Sequence, residues 1–136
     1  MNIEVEFAQG KMPITILSLQ GDLDASNFES VIARASDLYT EGTRHLLLDL
    51  SGLRFMSSSG LVAMHSIALL MRGADPHDLQ DGWNAIHAID RDRESGPQPY
   101  VKILNPLPKV ASTLKMTGLD QFFEIFDDQR TAIASF

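Results

Sequence analysis

The sequence predicts a small α/β domain with a mixed sheet of about five strands, several helices and one inserted helical segment. Short segments with strand-like patterns alternate with segments whose apolar residues recur at helical spacing, which is typical of strands joined by helices. The continuous apolar run from Leu46 to Leu50 is typical of a central strand buried on both faces. Three serines and then a long apolar helix follow this run, so a change from strand to helix is predicted near Gly60.

The chain begins with a predicted hairpin and a helix. Two runs separated by a turn show the alternating polarity of half-buried strands, with apolar positions at Ile3, Val5, Phe7, Ile14, Ile16 and Leu19. The pattern Ser26-x-x-Glu29 resembles a capping box, in which Ser26 and Glu29 bond reciprocally to free backbone N–H groups, so a helix is predicted behind it. Gly42 is the expected stop of that helix.

The helix after Gly60 is apolar around nearly its whole circumference, which exceeds the single apolar stripe of a surface helix. Its apolar residues are Leu61, Val62, Ala63, Met64, Ile67, Ala68, Leu69, Leu70 and Met71. Either the insertion that follows covers the surplus apolar face, or a partner protein does. We favour cover by the chain itself.

The segment at about 73–99 is predicted to be an insertion within one domain that spans residues 1–136. Its apolar residues Leu79, Trp83, Ile86 and Ile89 recur at helical spacing. This pattern favours an amphipathic helix packed on the domain over a helix that docks a partner with Trp83 as the anchor. The insertion also contains two groups of possible metal ligands, formed by His77 with Asp78 and Asp81, and by His87 with Asp90. Their spacing matches no standard site, so no metal is expected.

The C-terminal part is predicted to alternate strand and helix once more. Residues 100–104 form the expected strand, and Asn105 is the expected cap of a helix with prolines near its first turn. Val110, Leu114 and Met116 are expected to face the core, and Gly118 to end the helix. A short strand over 122–126 and a final helix capped by Asp127 complete the prediction.

Composition restricts the classes of function. The chain has 136 residues, a formal net charge of -7 and no cysteine. The negative charge disfavours binding to nucleic acid or anionic lipid, and the lack of cysteine removes disulfide and thiolate chemistry. No signal peptide is visible, and no segment reaches the ~20 apolar residues of a membrane span. A cytoplasmic protein that acts on another protein is therefore expected.

No enzyme class fits the motifs. The serines lack the Gly-x-Ser-x-Gly context of a nucleophile, and no glycine-rich loop for a nucleotide phosphate is present. Asp22 and Asp24 are assigned to a turn and a helix start rather than to paired acid–base catalysis. One serine of the cluster can cap the following helix, and the others then sit at the positive end of its dipole. Neither a catalytic residue nor a cofactor is predicted.

The stretch from Asp49 to Leu61 resembles the signature of the STAS domain, and most closely that of bacterial anti-sigma factor antagonists. The segments Gly21-Asp22-Leu23-Asp24 and Val110 to Ile125 extend this resemblance over most of the chain. It implies that Ser58 is phosphorylated by an anti-sigma factor with serine kinase activity, and that the unmodified protein binds that factor and frees a sigma factor. The partner-binding residues it implies are Asp22, Asp24, Met56, Ser57, Ser58, Ser59, Val62 and His65.

The chain departs from this family at one position. Where the family has an acidic residue just before the phosphoserine, this sequence has Ser57, so Ser57 is a second acceptor to be weighed against Ser58. The departure and the long insertion favour an alternative function without phosphorylation: a STAS scaffold or accessory subunit of a signalling assembly or of a lipid-transport ABC complex. The oligomeric state stays open.

Overall fold

A five-stranded mixed sheet forms the centre of the domain, as predicted. The structure, a computed structural model, describes residues 1–73 and 97–136, so the helix predicted around Trp83 lies outside the described residues and stays a prediction. The strands are β1 (Asn2–Gln9), β2 (Pro13–Leu23), β3 (Leu46–Met56), β4 (Val101–Leu104) and β5 (Ile125–Phe126). They lie in the order β1-β2-β3-β4-β5, with β1 antiparallel to β2 and the other neighbours parallel.

The helices in the described ranges are α1 (Phe28–Thr40), α2 (Ser58–Met71), α3 (Pro108–Thr117), α4 (Leu119–Phe122) and α5 (Gln129–Ser135). The first four pack on one face of the sheet and share the larger apolar core with it, while α5 covers the other face with a smaller core around Ala132 and Phe136. Alternate residues of β3 point to the two faces, so Leu46 and Leu48 belong to the larger core and Leu47 to the smaller one. None of these helices is long and apolar enough to cross a membrane.

The central strand is longer than predicted. The apolar run predicted a strand that ends near Leu50, but residues 51–56 continue β3 and pair with the end of β2 from Gln20 to Leu23. Two register shifts accommodate them, and Leu53 and Met56 enter the core. The strand is extended by pairing with a distant segment, which the local Ser-Gly signal does not encode.

Three predicted helix caps are wrong. The residue at the cap position of α1 is Asn27, and the Ser26 hydroxyl donates to Asp24 instead of capping the helix. Asn105 has a φ of 51°, in the left-handed region, and Leu107 stands at the start of α3. The cap of α5 is Asp128 rather than Asp127, and its carboxylate accepts a hydrogen bond from the Thr131 N–H at 2.9 Å.

The last predicted strand is shorter than expected, because only its final two residues are in a strand. Phe122 and Phe123 are both fully buried, whereas neighbouring residues of a regular strand point to opposite faces. The short helix α4 ends at Phe122, and only Ile125–Phe126 pairs with β4. Gly118 ends α3 in the left-handed conformation as predicted, but Met116 is exposed rather than part of the core.

Candidate functional site

The two adjacent serines at the start of α2 have different roles in the structure. Ser57 is the cap: its Oγ accepts from the N–H of Gly60 at 3.4 Å, and its carbonyl accepts from the N–H of Leu61 at 3.1 Å. The N–H of Ser57 donates to the carbonyl of Leu23 at 2.9 Å, which ties the start of α2 to the end of β2. Ser58 is exposed, and its hydroxyl makes no side-chain hydrogen bond to any described residue. Of the two serines, Ser58 therefore has the exposed hydroxyl without a hydrogen-bond partner among the described residues.

Gly60 holds the start of α2 close to the sheet. A Cβ at this position would lie 2.6 Å from Cγ of Met56 and 3.0 Å from Cγ of Leu23. Contacts below 3.0 Å are essentially absent from real Cβ atoms, so only glycine lets the helix approach this closely. The position of Ser58 is consequently set by packing at Gly60, two residues further along α2.

Asp24 lies in a loop that connects β2 to α1 and is closed by its own hydrogen bonds. The Asp24 carboxylate accepts from the hydroxyl and the N–H of Ser26, while its own N–H donates to the side-chain oxygen of Asn27 at 3.0 Å. The amide nitrogen of Asn27 donates to the carbonyl of Asp22 at 2.8 Å. The hydroxyl and then the N–H of Ser26 lower the pKa of the Asp24 carboxyl, so this group is charged at neutral pH.

The loop is adjacent to the serines because Leu23, the residue before Asp24, pairs with Met56, the residue before Ser57. Asp22 is exposed and forms an ion pair with Arg54 at 3.5 Å. The structure thus brings together, at one edge of the sheet, the acidic residues and the serines that were separate in the sequence. We call this edge the Ser58 surface and define it by Asp22, Asp24, Ser57, Ser58 and Ser59.

Three other residues that the resemblance implied for partner binding lie inside the domain. Met56, Val62 and His65 are only 3%, 7% and 1% exposed. The His65 ring lies 5.5 Å from the ring of Phe122, so it takes part in packing between α2 and α4. In this structure these side chains support the surface from behind and are not presented to a partner.

The sequence reasoning missed Arg54 and Phe55, which lie beside the Ser58 surface. Arg54 neutralises part of the charge of Asp22, and Phe55 is exposed although it belongs to the central strand. The available signal was the spacing of Leu53 and Met56, which are one residue too far apart for both to face the core in a regular strand. The described residues contain no cluster of three or more side chains that could hold a metal ion.

Comparisons with known proteins agree with this fold. A sequence model of the STAS domain matches residues 2–73, while no curated protein has a significant match to the chain. The fold resembles a candidate anti-sigma factor antagonist from Thermotoga maritima, with a TM-score of 0.69 at 18% identity over 96% of this chain and 90% of the other. It also resembles an anti-sigma factor antagonist from Mycobacterium paratuberculosis, with a TM-score of 0.64 at 18% identity over 97% and 92%. The phosphorylated Bacillus cell fate determinant SpoIIAA has a TM-score of 0.54 at 19% identity over 97% and 96%.

Proposed function

The chain belongs to the STAS domain family, and from this premise we propose that it is an anti-sigma factor antagonist switched by phosphorylation of Ser58. In the unmodified state it binds an anti-sigma factor through the Ser58 surface and so frees a sigma factor. The observation that supports this most is the contrast between the two serines, since Ser57 is engaged as a helix cap and Ser58 offers an exposed hydroxyl. We propose that the protein acts in the cytoplasm by binding and has no enzymatic activity of its own.

Phosphorylation would act through charge. A phosphate adds roughly -1.5 to -2 charges at neutral pH. On Ser58 this charge would stand next to the acidic loop of Asp24, which is joined to the start of α2 by the bond between Ser57 and Leu23. A partner that fits the unmodified acidic edge would then face added repulsion and a desolvation cost. A loss of a few kcal/mol in binding free energy would be enough to release the partner, because about 1.4 kcal/mol changes an affinity tenfold.

The same phosphate would leave the fold intact. The first turn of α2 has no acidic residue, and a negative charge at a helix N-terminus is favourable. Ser58 also makes none of the capping bonds, which belong to Ser57. The proposed switch therefore changes the surface that a partner meets and requires no unfolding of the domain.

The site is tested by phosphorylation with labelled ATP and a purified anti-sigma kinase of the organism that encodes this chain. We expect label on the wild type and on Ser57→Ala, and none on Ser58→Ala or on samples without kinase. Label that persists on Ser58→Ala and disappears from Ser57→Ala would move the acceptor to Ser57. Label that appears without kinase would contradict the proposal that the chain is not an enzyme.

The switch is tested by calorimetry of binding to the same anti-sigma factor. Ser58→Glu should weaken binding tenfold or more. The matched control is Gln9→Glu, which adds one charge at the exposed end of β1, where the strand pairs with Pro13 rather than with the end of β2. The control should bind like the wild type, and equal binding by all three proteins would refute the switch.

A second candidate is a STAS scaffold or accessory subunit that is never phosphorylated. Ser57 favours it, because this residue replaces the acidic side chain that the family carries before its phosphoserine. Such a protein would carry no phosphate on Ser57 or Ser58 when purified from its native cells and analysed by phosphopeptide mass spectrometry. Phosphate found on Ser58 in those cells would eliminate this candidate.

A further inference from the structure

A bulge in β3 turns an aromatic side chain outward beside the Ser58 surface. Gly21 pairs with Leu53 and Asp22 pairs with Phe55, so Arg54 is an extra residue without a partner in β2. In a regular strand Leu53 and Phe55 would face the same way, because side chains alternate. Here Leu53 is fully buried while Phe55 is 42% exposed. Bulges are frequent next to functional sites, where they redirect a side chain.

Phe55 is flanked by a cation on α3. The Lys109 Nζ lies 5.8 Å from the centre of the Phe55 ring, and no carboxylate of the described residues lies within ion-pair distance of it. Leu107, just before α3, is exposed, and the first turn of that helix contains no acidic residue. We call this apolar and basic area the Phe55 surface and define it by Phe55, Leu107 and Lys109. Its positive charge contrasts with the net charge of -7 of the whole chain.

The Phe55 surface is continuous with the Ser58 surface. Only Met56 separates Phe55 from Ser57 along the chain, and Met56 is buried, so its side chain does not stand between the two surfaces. Arg54 in the bulge also holds Asp22 of the Ser58 surface through the ion pair at 3.5 Å. A protein that lies over Ser58 therefore meets an acidic area on the side of β2 and an apolar, basic area on the side of α3.

We propose that the Phe55 surface is a second contact for the anti-sigma factor that binds the Ser58 surface, and this inference rests on the function proposed above. Phe55 enters an apolar pocket of the partner, and an acidic side chain at the edge of that pocket faces Lys109. Aromatic anchors buried at the centre of an interface are the residues that most often dominate binding, while charges at its rim steer association and fix orientation. The opposite charges of the two surfaces give the partner a single orientation over Ser58.

The test is calorimetry and association kinetics with the anti-sigma factor that binds the wild type, using Phe55→Ser. The matched control is Phe7→Ser, because Phe7 is 74% exposed and pairs with Thr15, which pairs with Leu46 at the far end of β3. Loss of the anchor should weaken binding roughly thirtyfold, and Phe7→Ser should have no effect. Lys109→Glu should slow association severalfold at low salt, and this effect should shrink as salt is raised.

The outcomes separate this inference from the proposed function. If Ser58→Glu weakens binding while Phe55→Ser and Lys109→Glu bind like the wild type, the inference is refuted and the proposed switch stands. If the wild type binds no anti-sigma factor of its organism, both are refuted. A dimer in sedimentation that becomes monomeric in Phe55→Ser would show that a second copy occupies the surface, which also refutes the inference. Thermal unfolding of each variant confirms that only folded protein is compared.

Discussion

Replacing Gly60 with alanine tests whether the start of α2 is held by close packing. The new Cβ would lie 2.6 Å from Cγ of Met56, and that contact must lengthen to about 3.4 Å to become ordinary. The atoms in its way are the inner carbons of Met56 and Leu23, which are buried and fixed by their strands, so the helix itself must move. Overpacking of this kind costs roughly 2–3 kcal/mol, and alanine regains about 1 kcal/mol of helix propensity. We expect a net loss of about 1–2 kcal/mol in the free energy of unfolding and a Tm lower by roughly 3–8 °C.

The assay is urea unfolding followed by circular dichroism, with Gly52→Ala as the matched control. A Cβ at Gly52 would lie 2.8 Å from Cγ of Gln20, but that side chain is exposed and can rotate away. Neither glycine has a positive φ, so neither substitution strains the backbone. The two differ in the helix propensity that only Gly60→Ala regains and in what the new methyl group meets. A second control is Met56→Ala combined with Gly60→Ala, in which the cost of the pair should be smaller than the sum of the single costs. Gly60→Ala as stable as both the wild type and Gly52→Ala would refute the packing argument.

Three further predictions test other parts of the structure. In urea unfolding, Ser57→Ala should lower the free energy of unfolding by about 1 kcal/mol because it removes the cap of α2. Ser58→Ala should change it by less than about 0.5 kcal/mol, and equal effects of the two variants would contradict the assignment of the cap. Lys102→Ala should lower the free energy of unfolding by about 1–3 kcal/mol and speed hydrogen exchange in α5. The reason is that the buried Nζ of Lys102 donates to the carbonyl and hydroxyl of Ser135 at 2.9 and 3.0 Å and lies 4.9 Å from the ring centre of Phe136. Unchanged exchange in α5 would contradict this anchoring role. Burial and the nearby charge of Lys102 hold the pKa of His45 below its ordinary value of 6.5, so its contribution to the free energy of unfolding should be full above pH 6.5 and should be lost as the pH drops towards the lower pKa of the folded state. His45→Gln should reduce this dependence of stability on pH, and an identical dependence in both proteins would contradict the shift.

The order of strands and helices could be predicted because it depends on local patterns. Each of the signals that predicted them extends over only a few residues. They are the alternation along β1 and β2, the apolar run at the start of β3 and the glycine after α3. Where a segment takes its conformation from a distant partner, the prediction failed. Residues 51–56 contain Ser51 and Gly52, which are typical of a loop, yet pairing with β2 makes them part of β3.

The candidate site also has residues that the sequence predicted and others that only the structure showed. The resemblance of the serine motif to one family pointed to Ser58 and to the acidic residues near Asp24, and the structure places them at one edge of the sheet. The resemblance could not distinguish exposed from buried side chains, so the partner-binding residues it implied included His65, which is buried against Phe122. It also omitted Phe55, whose exposure results from an extra residue in the pairing of β3 with β2.

The sequence by itself determined the α/β class, the positions of most helices and strands, and the place where a serine starts α2. These features depend on periodicity and turn residues, which involve only residues close together in the sequence. Only the tertiary structure decided that Ser57 is the cap and Ser58 is free, that Phe55 faces outward, and that α5 closes the second face of the sheet through Lys102. These features depend on contacts between segments that are far apart in the chain, such as the hydrogen bond from Ser57 to Leu23. Such contacts exist only after the strands have paired and the helices have packed on them, and no short stretch of sequence contains them.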